Sequence, residues 1–324
     1  MSEPVLSVRD LSVEIPTRAG IVKPVDGVSY DISKGEILGV VGESGAGKSM
    51  AGNAVIGLLS PPAHISGGEI WLNGKRIDHL QGEAMRRLRG KDIGMVFQDP
   101  LTSLNPLLTI GDQLSETIQT HLPIGRREAE KRAIAALDEV GIPGAADRID
   151  SYPHEFSGGM RQRVVIALAL CAEPSLVIAD EPTTALDVSV QAQIIALLRS
   201  LCRDRGTAVM LITHDMGVIA EAADRVAVMY AGRLAELDTV RDVLTRPQHP
   251  YTDGLMASTP LASQGQTRLH QIPGSMPRLT QMPDGCAFHP RCPYAQDKCR
   301  SAPHPTIDGG RAACWYPLLQ EAAE

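Results

Sequence analysis

A glycine-rich segment carries the clearest chemical pattern in the chain. It reads Gly42-Glu43-Ser44-Gly45-Ala46-Gly47-Lys48-Ser49. This order matches the phosphate-loop pattern G-x-x-x-x-G-K-[ST], and the segment lies between an apolar run at 37–41 and a second apolar segment of helical length at 50–59. In such a loop, backbone N–H groups close around the phosphates, the Lys48 ammonium reaches the β and γ oxygens, and the Ser49 hydroxyl ligates Mg²⁺. The sequence therefore predicts binding of a nucleoside triphosphate with Mg²⁺.

Two carboxylates and a histidine follow two later apolar runs. Asp180 and Glu181 come directly after LVIA, and His214 follows AVMLIT. Parallel strands deliver such residues at their carboxyl ends, beside bound phosphates. We expect Asp180 to join the Mg²⁺ shell and Glu181 to polarise the attacking water, a general-base role worth about 10²- to 10⁴-fold in rate. His214 is then placed to contact the γ-phosphate. The competing interpretation is a strand end with solvated acids and a structural histidine.

A third segment precedes the apolar helix that begins near residue 160. It reads Ser157-Gly158-Gly159-Met160. Serine is a favoured N-cap residue, and the two glycines leave the first N–H groups of the helix accessible to an anion. Taken alone, this pattern predicts only a capped helix.

Composition and charge narrow the possible partners. The 324 residues include 38 acidic and 31 basic side chains, and the formal charge of −7 opposes attraction to a nucleic-acid backbone. The longest apolar run, at 164–172, is about half of the roughly 20 residues that a bilayer-spanning helix needs. The first ten residues lack the apolar centre of a secretory signal. We therefore expect a cytosolic chain with no nucleic-acid partner and no membrane span.

The periodicity of the chain predicts the elements that position these motifs. Strand-like runs at 5–15, 28–32 and 36–41 precede the phosphate loop, and strands alternate with helices again after residue 164. Between them, GRREAEKRAIAALDEVGI has apolar residues at helical spacing. We predict an α/β core at 1–97 and 157–240, with N-terminal antiparallel strands and a mostly parallel sheet, and a helical insertion at 98–156.

The C-terminal segment 241–324, an extension beyond the α/β core, has a different composition. Eleven of the 23 prolines lie at 247–317, so regular structure is expected to be sparse. Four cysteines also lie there: Cys286, Cys292, Cys299 and Cys314. A segment with so small an apolar core needs a tie, and in a reducing cytosol four thiolates favour a metal site over disulfides. Their spacing leaves zinc and a [4Fe–4S] cluster equally open. Cys171 and Cys202 lie in apolar helical segments and are expected to be core residues.

Together these motifs resemble those of the ATP-binding subunits of ABC transporters. The matching segments are Ser157-Gly158-Gly159-Met160 for the family signature, Gln98 in MVFQDP for the Q-loop, Thr184-Ala185-Leu186-Asp187 for the D-loop, and His214 for the switch histidine. The resemblance covers about residues 5–240. It implies an ABC-type P-loop NTPase fold and a catalytic cycle in which each ATP is held between the phosphate loop of one subunit and the signature of another. Gln98 would contact Mg²⁺ and sense the transport domain.

Two positions depart from the family pattern. Met160 stands where many members of the family have glutamine. Members that transport peptides also tolerate methionine at this position. No aromatic residue stands near Ile15 and Pro16, where the family stacks the adenine, so we expect apolar contact with the base.

A narrower resemblance extends to the C-terminal segment. RPQHPYT at 246–252, DPLTSLNP after Gln98, YPHEFSGG before the signature helix and the cysteine-containing tail resemble the dipeptide and oligopeptide permease branch. The resemblance implies an ATPase that powers peptide uptake from the cytoplasmic face of the membrane. Its partners would be a second, non-identical ATPase subunit, two transmembrane permeases and an extracytoplasmic solute-binding protein. It also implies a [4Fe–4S] cluster at the four cysteines, with Zn²⁺ as the first alternative and unliganded core thiols as the second.

Other functions remain open at this point. Uptake systems for nickel, glutathione or other small solutes share these motifs. A soluble ABC-type ATPase of DNA repair is disfavoured because only 107 residues separate Ser49 from Ser157, too few for a long coiled-coil insertion. A translation ATPase would resemble two such domains in tandem. A regulatory protein that binds nucleotide without turnover is disfavoured by the presence of Glu181 and His214.

Overall fold

The computed structural model describes residues 3–184, 186–258, 271–307 and 310–318. The strands are β1 (Leu6–Thr17), β2 (Gly20–Ile32), β3 (Ile37–Val41), β4 (His64–Leu72), β5 (Lys75–Arg76), β6 (Ile93–Val96), β7 (Leu176–Asp180), β8 (Ala208–Ile212), β9 (Arg225–Tyr230) and β10 (Arg233–Thr239). No helix in these residues combines the length and apolar character that a bilayer span needs.

The α-helices are α1 (Lys48–Val55), α2 (Gly82–Leu88), α3 (Pro100–Ser103), α4 (Ile110–His121), α5 (Arg126–Glu139), α6 (Ala145–Arg148), α7 (Gly158–Leu170), α8 (Val188–Arg205), α9 (Met216–Ala222), α10 (Val240–Thr245), α11 (Pro250–Ala257) and α12 (Asp297–Ser301). Short 3₁₀ helices lie at Pro153–Glu155 and His289–Arg291.

The chain divides into two compact units, of which the first comprises residues 3–5, 32–36 and 79–211. Its strands lie in the order β8-β7-β6, and β6 pairs in parallel with β7 from Ile93↔Leu176 to Val96↔Ala179. All five residues of β8 are buried, as are the first four of β7. Such continuous apolar runs are typical of parallel strands with both faces covered. Helix α7 packs closely on β6, since a Cβ at Gly94 would lie 2.3 Å from the Ala169 carbonyl oxygen.

Helices α4 and α5 pack against each other in the same unit, and each also contacts α7. Helix α4 buries Ile110, Leu114 and Ile118 along one face, at the spacing of an amphipathic helix. The Thr109 side chain caps this helix by accepting a hydrogen bond from the Asp112 N–H at 3.1 Å. The helix predicted within 125–142 is present as α5. The three-domain division made from the sequence stays a prediction.

The second unit comprises residues 6–31, 37–78 and the described residues from 212 onward. One sheet has the order β2-β1-β4-β5, with β1 antiparallel to β4, as predicted for the N-terminal strands. A second group has the order β10-β9-β3. There β3 pairs in parallel with β9 from Leu38↔Arg225 to Val41↔Val228, and β9 is antiparallel to β10.

The C-terminal segment is tied to β10 by backbone hydrogen bonds. The Leu237 N–H donates to the Arg311 carbonyl at 2.9 Å, and the Ala313 N–H donates to the Ala235 carbonyl at 2.8 Å. The buried Glu236 carboxylate also accepts the N–H groups of Gln248 and His249, each at 2.9 Å. The sequence pointed to the cysteines as the tie; the structure adds pairing along the edge of a strand.

Three aromatic rings reinforce this attachment. The Tyr230 ring of β9 lies 4.6 Å from Tyr251 and 5.2 Å from Phe288, measured between centroids, and the latter two lie 5.5 Å apart. Such pairs contribute roughly 0.5–1.5 kcal/mol each beyond the area that they bury. With eleven aromatic residues in the whole chain, this cluster is where the extension acquires a ring-based core.

His249 makes the stability of this unit depend on pH. Burial lowers the pKa of His249 to about 3, with the nearby His304 acting in the same direction, and its Nδ1 accepts the Tyr251 N–H at 3.0 Å. The folded state therefore keeps this ring neutral, while the unfolded chain binds a proton below its ordinary pKa of about 6.5. The stabilisation is complete above that value and is lost progressively as the pH falls towards 3.

Between about pH 7.5 and about pH 5, we expect His249 alone to remove about 2 kcal/mol from the free energy of unfolding. His249→Asn keeps an acceptor for Tyr251 but does not titrate, so its loss of stability over this interval should be smaller by that amount. Urea unfolding of both proteins at the two pH values measures the difference. Equal pH dependence of the two proteins would contradict the assignment.

Candidate functional site

The phosphate loop is held between β3 and α1 in the second unit. Strand β3 ends at Val41, and α1 begins at Lys48, two residues earlier than the predicted apolar segment. The Lys48 side chain is buried, and its ammonium donates to the carbonyls of Gly42 at 2.8 Å and Glu43 at 3.0 Å. The structure thus places Lys48 and Ser49 in the first turn of the helix, where the helix dipole favours an anion.

Two glycines of this loop allow close contact with neighbouring backbone. Gly47 has φ +101°, and a Cβ there would lie 2.0 Å from the Pro24 carbonyl oxygen. Gly42 has φ +150°, and a Cβ there would lie 2.2 Å from the Met229 carbonyl oxygen. Side chains are therefore excluded at both positions by backbone that cannot move aside without breaking β2 or β9. The remaining members of the loop are Ser44, Gly45 and Ala46.

His214 lies at the same end of β3. The Thr213 N–H donates to the Val40 carbonyl at 3.1 Å, so the residue before His214 is held beside the end of β3. Asp215 then caps α9 by accepting the Gly217 N–H at 2.7 Å. Held between these two anchors, His214 is exposed to solvent. Within this unit, the structure brings the histidine to the strand end that leads into the phosphate loop.

The first unit brings Gln98 and Glu181 together. Both lie two residues beyond the last paired positions of β6 and β7, Val96 and Ala179, so they share one edge of the sheet. The Gln98 side-chain amide donates to Glu181 Oε2 at 3.1 Å. The Thr184 hydroxyl donates to the same oxygen at 2.8 Å. Two donors therefore fix the orientation of this carboxylate.

The backbone at Glu181 is strained. Its φ of +46° lies in the left-handed region, which costs about 1–3 kcal/mol for a residue other than glycine. Such strain persists where the surrounding structure fixes it, and it is common at functional sites. Asp180 ends β7 immediately before this residue.

The predicted signature forms the start of α7. The Ser157 hydroxyl oxygen accepts the Met160 N–H at 3.3 Å, so serine is the N-cap as expected. Ser157 and Gly158 are exposed, and a Cβ at Gly158 would meet no atom within 4 Å. Gly159 differs, because its Cβ would lie 2.7 Å from Val190 at the start of α8. This helix start therefore presents an open surface at its first two residues.

Asp187 caps the neighbouring helix α8. Its carboxylate accepts the Val190 N–H at 2.9 Å and the Ser189 hydroxyl at 2.7 Å. The bond from Val190, followed by that from Ser189, lowers the pKa of Asp187 below its usual value. The predicted D-loop also includes Ala185, which lies outside the described residues.

The four C-terminal cysteines gather in one region of the second unit. The Cys286 N–H donates to the Cys299 carbonyl at 2.8 Å, and all four thiols are free of disulfides. Burial raises the pKa of Cys286 and Cys292, and it raises that of Cys314 to about 11, with neighbouring cysteines adding to each shift. In the described part of the chain, however, no three His, Cys, Asp or Glu side chains are arranged to hold a metal ion. The metal or cluster predicted here gains no support from this arrangement. Cys171 and Cys202 are buried elsewhere, as expected of core residues.

The sequence did not indicate three residues that hydrogen-bond to Glu181 or Glu43. Thr184 is the second donor to Glu181, while Arg291 and Tyr251 contact Glu43 in the phosphate loop. No short pattern could have indicated the last two, because 248 and 208 positions separate them from Glu43.

Comparisons with known proteins agree with these motifs. Residues 25–184 match the ABC transporter family, and residues 235–299 match the C-terminal region of oligopeptide and dipeptide transporters. The chain is 49% identical to the dipeptide transport ATP-binding protein DppD of Bacillus subtilis, over 99% of this chain and 97% of that protein. It is 47% identical to the oligopeptide transport ATP-binding protein OppD of Escherichia coli, over 98% and 94%.

Solved structures give the same result for the fold. A dimeric ATP-binding cassette in a post-hydrolysis state, bound to ADP and phosphate, superimposes with a TM-score of 0.65 at 27% identity, over 73% of this chain and 99% of that one. The fold is thus that of an ABC ATPase. With near-complete coverage by its relatives at almost half identity, the chain belongs to the dipeptide and oligopeptide branch of ABC transporter ATP-binding proteins.

Proposed function

We propose that this chain is the ATP-hydrolysing subunit of an ABC importer that powers the uptake of dipeptides or oligopeptides. The observation that carries the proposal is the match to peptide transport ATP-binding proteins over nearly the whole chain, C-terminal extension included. The cassette itself is common to transporters of many solutes, so the extension is what favours a peptide as cargo.

The substrate of the ATPase reaction is MgATP. Its phosphates are bound by the Lys48 ammonium and the backbone N–H groups of residues 42–47. Its magnesium ion is coordinated by Ser49, Gln98 and Asp180. Glu181 accepts a proton from the attacking water, and His214 contacts the γ-phosphate. The hydrogen bonds from Gln98 and Thr184 to Oε2 support this role, because they hold the carboxylate of Glu181 in one orientation.

Turnover requires a second ATPase subunit. Ser157, Gly158, Gly159 and Met160 face the γ-phosphate of the partner's ATP, and Asp187 lies at the same interface. The exposed, capped start of α7 supports this, since its first N–H groups are open to an anion. The partner ATPase is a different chain, and the pair binds two transmembrane permeases at the cytoplasmic face of the membrane. A separate extracytoplasmic protein selects the cargo.

Copurification tests the proposal. The tagged chain is isolated from membranes of its native host in mild detergent, and the accompanying proteins are identified by mass spectrometry. We expect two multi-spanning permeases, a second ATPase and a solute-binding protein that binds dipeptides or oligopeptides. A binding protein specific for nickel or glutathione would contradict the peptide cargo. A soluble homodimer without membrane partners would contradict the transporter.

We also propose that Cys286, Cys292, Cys299 and Cys314 hold a [4Fe–4S] cluster, with Zn²⁺ as the alternative. The donor set suits a soft metal, and neighbouring thiolates repel one another in the absence of a cation. Binding would require the side chains to move from their present arrangement. The bound group would tie the extension together and supplies no step of ATP hydrolysis.

Metal and sulfide analysis of the anaerobically purified chain tests this site. We expect about four iron and four sulfide per chain, or about one zinc for the alternative. Cys292→Ser should lose the bound group, while the matched control Cys202→Ser, whose thiol is buried elsewhere, should keep it. A wild-type chain with neither metal would refute both versions of the proposal.

A further inference from the structure

Arg291 of the C-terminal extension reaches into the phosphate loop. Its guanidinium donates to both carboxylate oxygens of Glu43, at 2.9 and 3.2 Å. The Arg291 side chain is only 7% exposed. Its Nε donates to the Pro273 carbonyl at 2.9 Å, and its guanidinium lies 5.8 Å from the centroid of the Tyr230 ring. Contacts other than the one with Glu43 therefore also hold the Arg291 side chain in place.

Tyr251 holds the same loop residue through its backbone. The Glu43 N–H donates to the Tyr251 hydroxyl oxygen at 3.0 Å. Tyr251 is fully buried, and its ring packs against Tyr230 and Phe288. The backbone and the side chain of Glu43 are thus fixed by two different residues of the extension.

These contacts lead directly to the phosphate-binding lysine. The Glu43 carbonyl accepts the Lys48 ammonium at 3.0 Å, so a shift of Glu43 would move an acceptor of Lys48. Met276 of the extension also lies near the loop, because a Cβ built at Gly45 would be 3.3 Å from its side chain. Two separate segments of the extension therefore contact the loop, and a third lies close to it.

The charge of Glu43 gives Arg291 a second effect. A carboxylate in a loop that binds a triphosphate repels the ligand, and a buried guanidinium paired with it removes most of that repulsion. Without Arg291, the negative charge of Glu43 would have no partner to offset its repulsion of the phosphates. The single loss would therefore both loosen the loop and oppose the binding of ATP.

We propose that Arg291 and Tyr251 are positioning residues of the nucleotide site, and that the extension is a working part of that site. Arg291 neutralises and orients Glu43, while Tyr251 fixes its backbone, and together they keep the phosphate loop ready for MgATP. This inference rests on the proposed ATP binding by residues 42–49 and is independent of the cargo.

Equilibrium binding of a fluorescent ATP analogue with Mg²⁺ to the purified full chain tests it. Arg291→Gln should raise Kd about tenfold, the effect of losing one charge-assisted contact. Adding Glu43→Gln to that variant should restore Kd to within about threefold of wild type, because the unpaired charge is gone. Tyr251→Phe should raise Kd by about threefold while its ring packing remains. Arg311→Gln is the matched control: Arg311 also lies in the extension but pairs with Asp238 of β10, so this variant is expected to leave Kd unchanged.

The outcomes separate this inference from the proposed function. Failure of the wild-type chain to bind the analogue would refute nucleotide binding itself. A wild type that binds while Arg291→Gln binds equally well would refute the positioning role alone. A double variant as weak as Arg291→Gln, with both proteins showing wild-type thermal unfolding, would refute the charge argument and with it the inference.

Discussion

Glu181→Gln is expected to lower kcat for ATP hydrolysis by about 10²- to 10⁴-fold while leaving MgATP binding close to wild type. The amide keeps the size of the side chain but cannot accept a proton from the attacking water. The strained backbone of Glu181 and the donors Gln98 and Thr184 remain in the variant, so its effect falls on the reaction rather than on the fold. Phosphate release under saturating MgATP, in the assembled transporter, measures the loss.

A matched control is Glu173→Gln. Glu173 lies in the same unit, also has a positive φ, and pairs with Arg132 at the surface at 3.6 Å. Exposed ion pairs contribute little to stability, so we expect kcat to stay near the wild-type value. Wild-type turnover in Glu181→Gln would show that another group activates the water.

Gly47→Ala is expected to disrupt the phosphate loop. The new Cβ would lie 2.0 Å from the Pro24 carbonyl oxygen, and the φ of +101° is unfavourable for alanine. Overpacking and a strained backbone each cost about 1–3 kcal/mol, so we expect a loss of about 2–6 kcal/mol in the free energy of unfolding and no measurable MgATP binding. Urea unfolding and nucleotide titration measure the two effects.

Gly20→Ala separates the clash from the conformational strain. Gly20 has φ +122°, yet a Cβ there would meet no atom within 4 Å. This variant should therefore lose only about 1–3 kcal/mol and should still bind MgATP. Equal losses in the two variants would mean that the contact with Pro24 is easily relieved.

Local patterns account for what the sequence predicted well. The apolar runs predicted β3, β7 and β8 correctly, because buried parallel strands are made of such runs. The glycine-lysine-serine pattern was equally informative, because a phosphate loop follows a strand and precedes a helix. The contact between Gln98 and Glu181 also fits a local rule, since each residue stands two positions beyond the last paired residue of its strand. Val96 pairs with Ala179, and the Gln98 amide lies 3.1 Å from Glu181 Oε2 beyond this pair.

Contacts between distant segments were beyond the reach of such patterns. Arg291 and Tyr251 meet Glu43 only because the extension folds back on β9 and β10, and nothing in their flanking residues encodes that path. The cysteines show the opposite limit. Their number, in a segment with so small an apolar core, favoured a metal. Positions along the chain do not define where four sulfur atoms lie, however, and the described residues contain no preformed set of metal ligands.

The attachment of the extension to Glu43 means that the segment bearing Arg291 and Tyr251 cannot be removed without changing the surroundings of the phosphate loop. Shortening the chain after β10 would remove the two partners that the extension supplies to Glu43 and would uncover the ring of Tyr230. We therefore expect the remaining cassette to bind MgATP more weakly than the full chain. Grafting the extension of a relative carries the same constraint, because the graft must bring an arginine and a tyrosine that suit the residue at position 43. The phosphate loop and the extension of this protein therefore have to be engineered together.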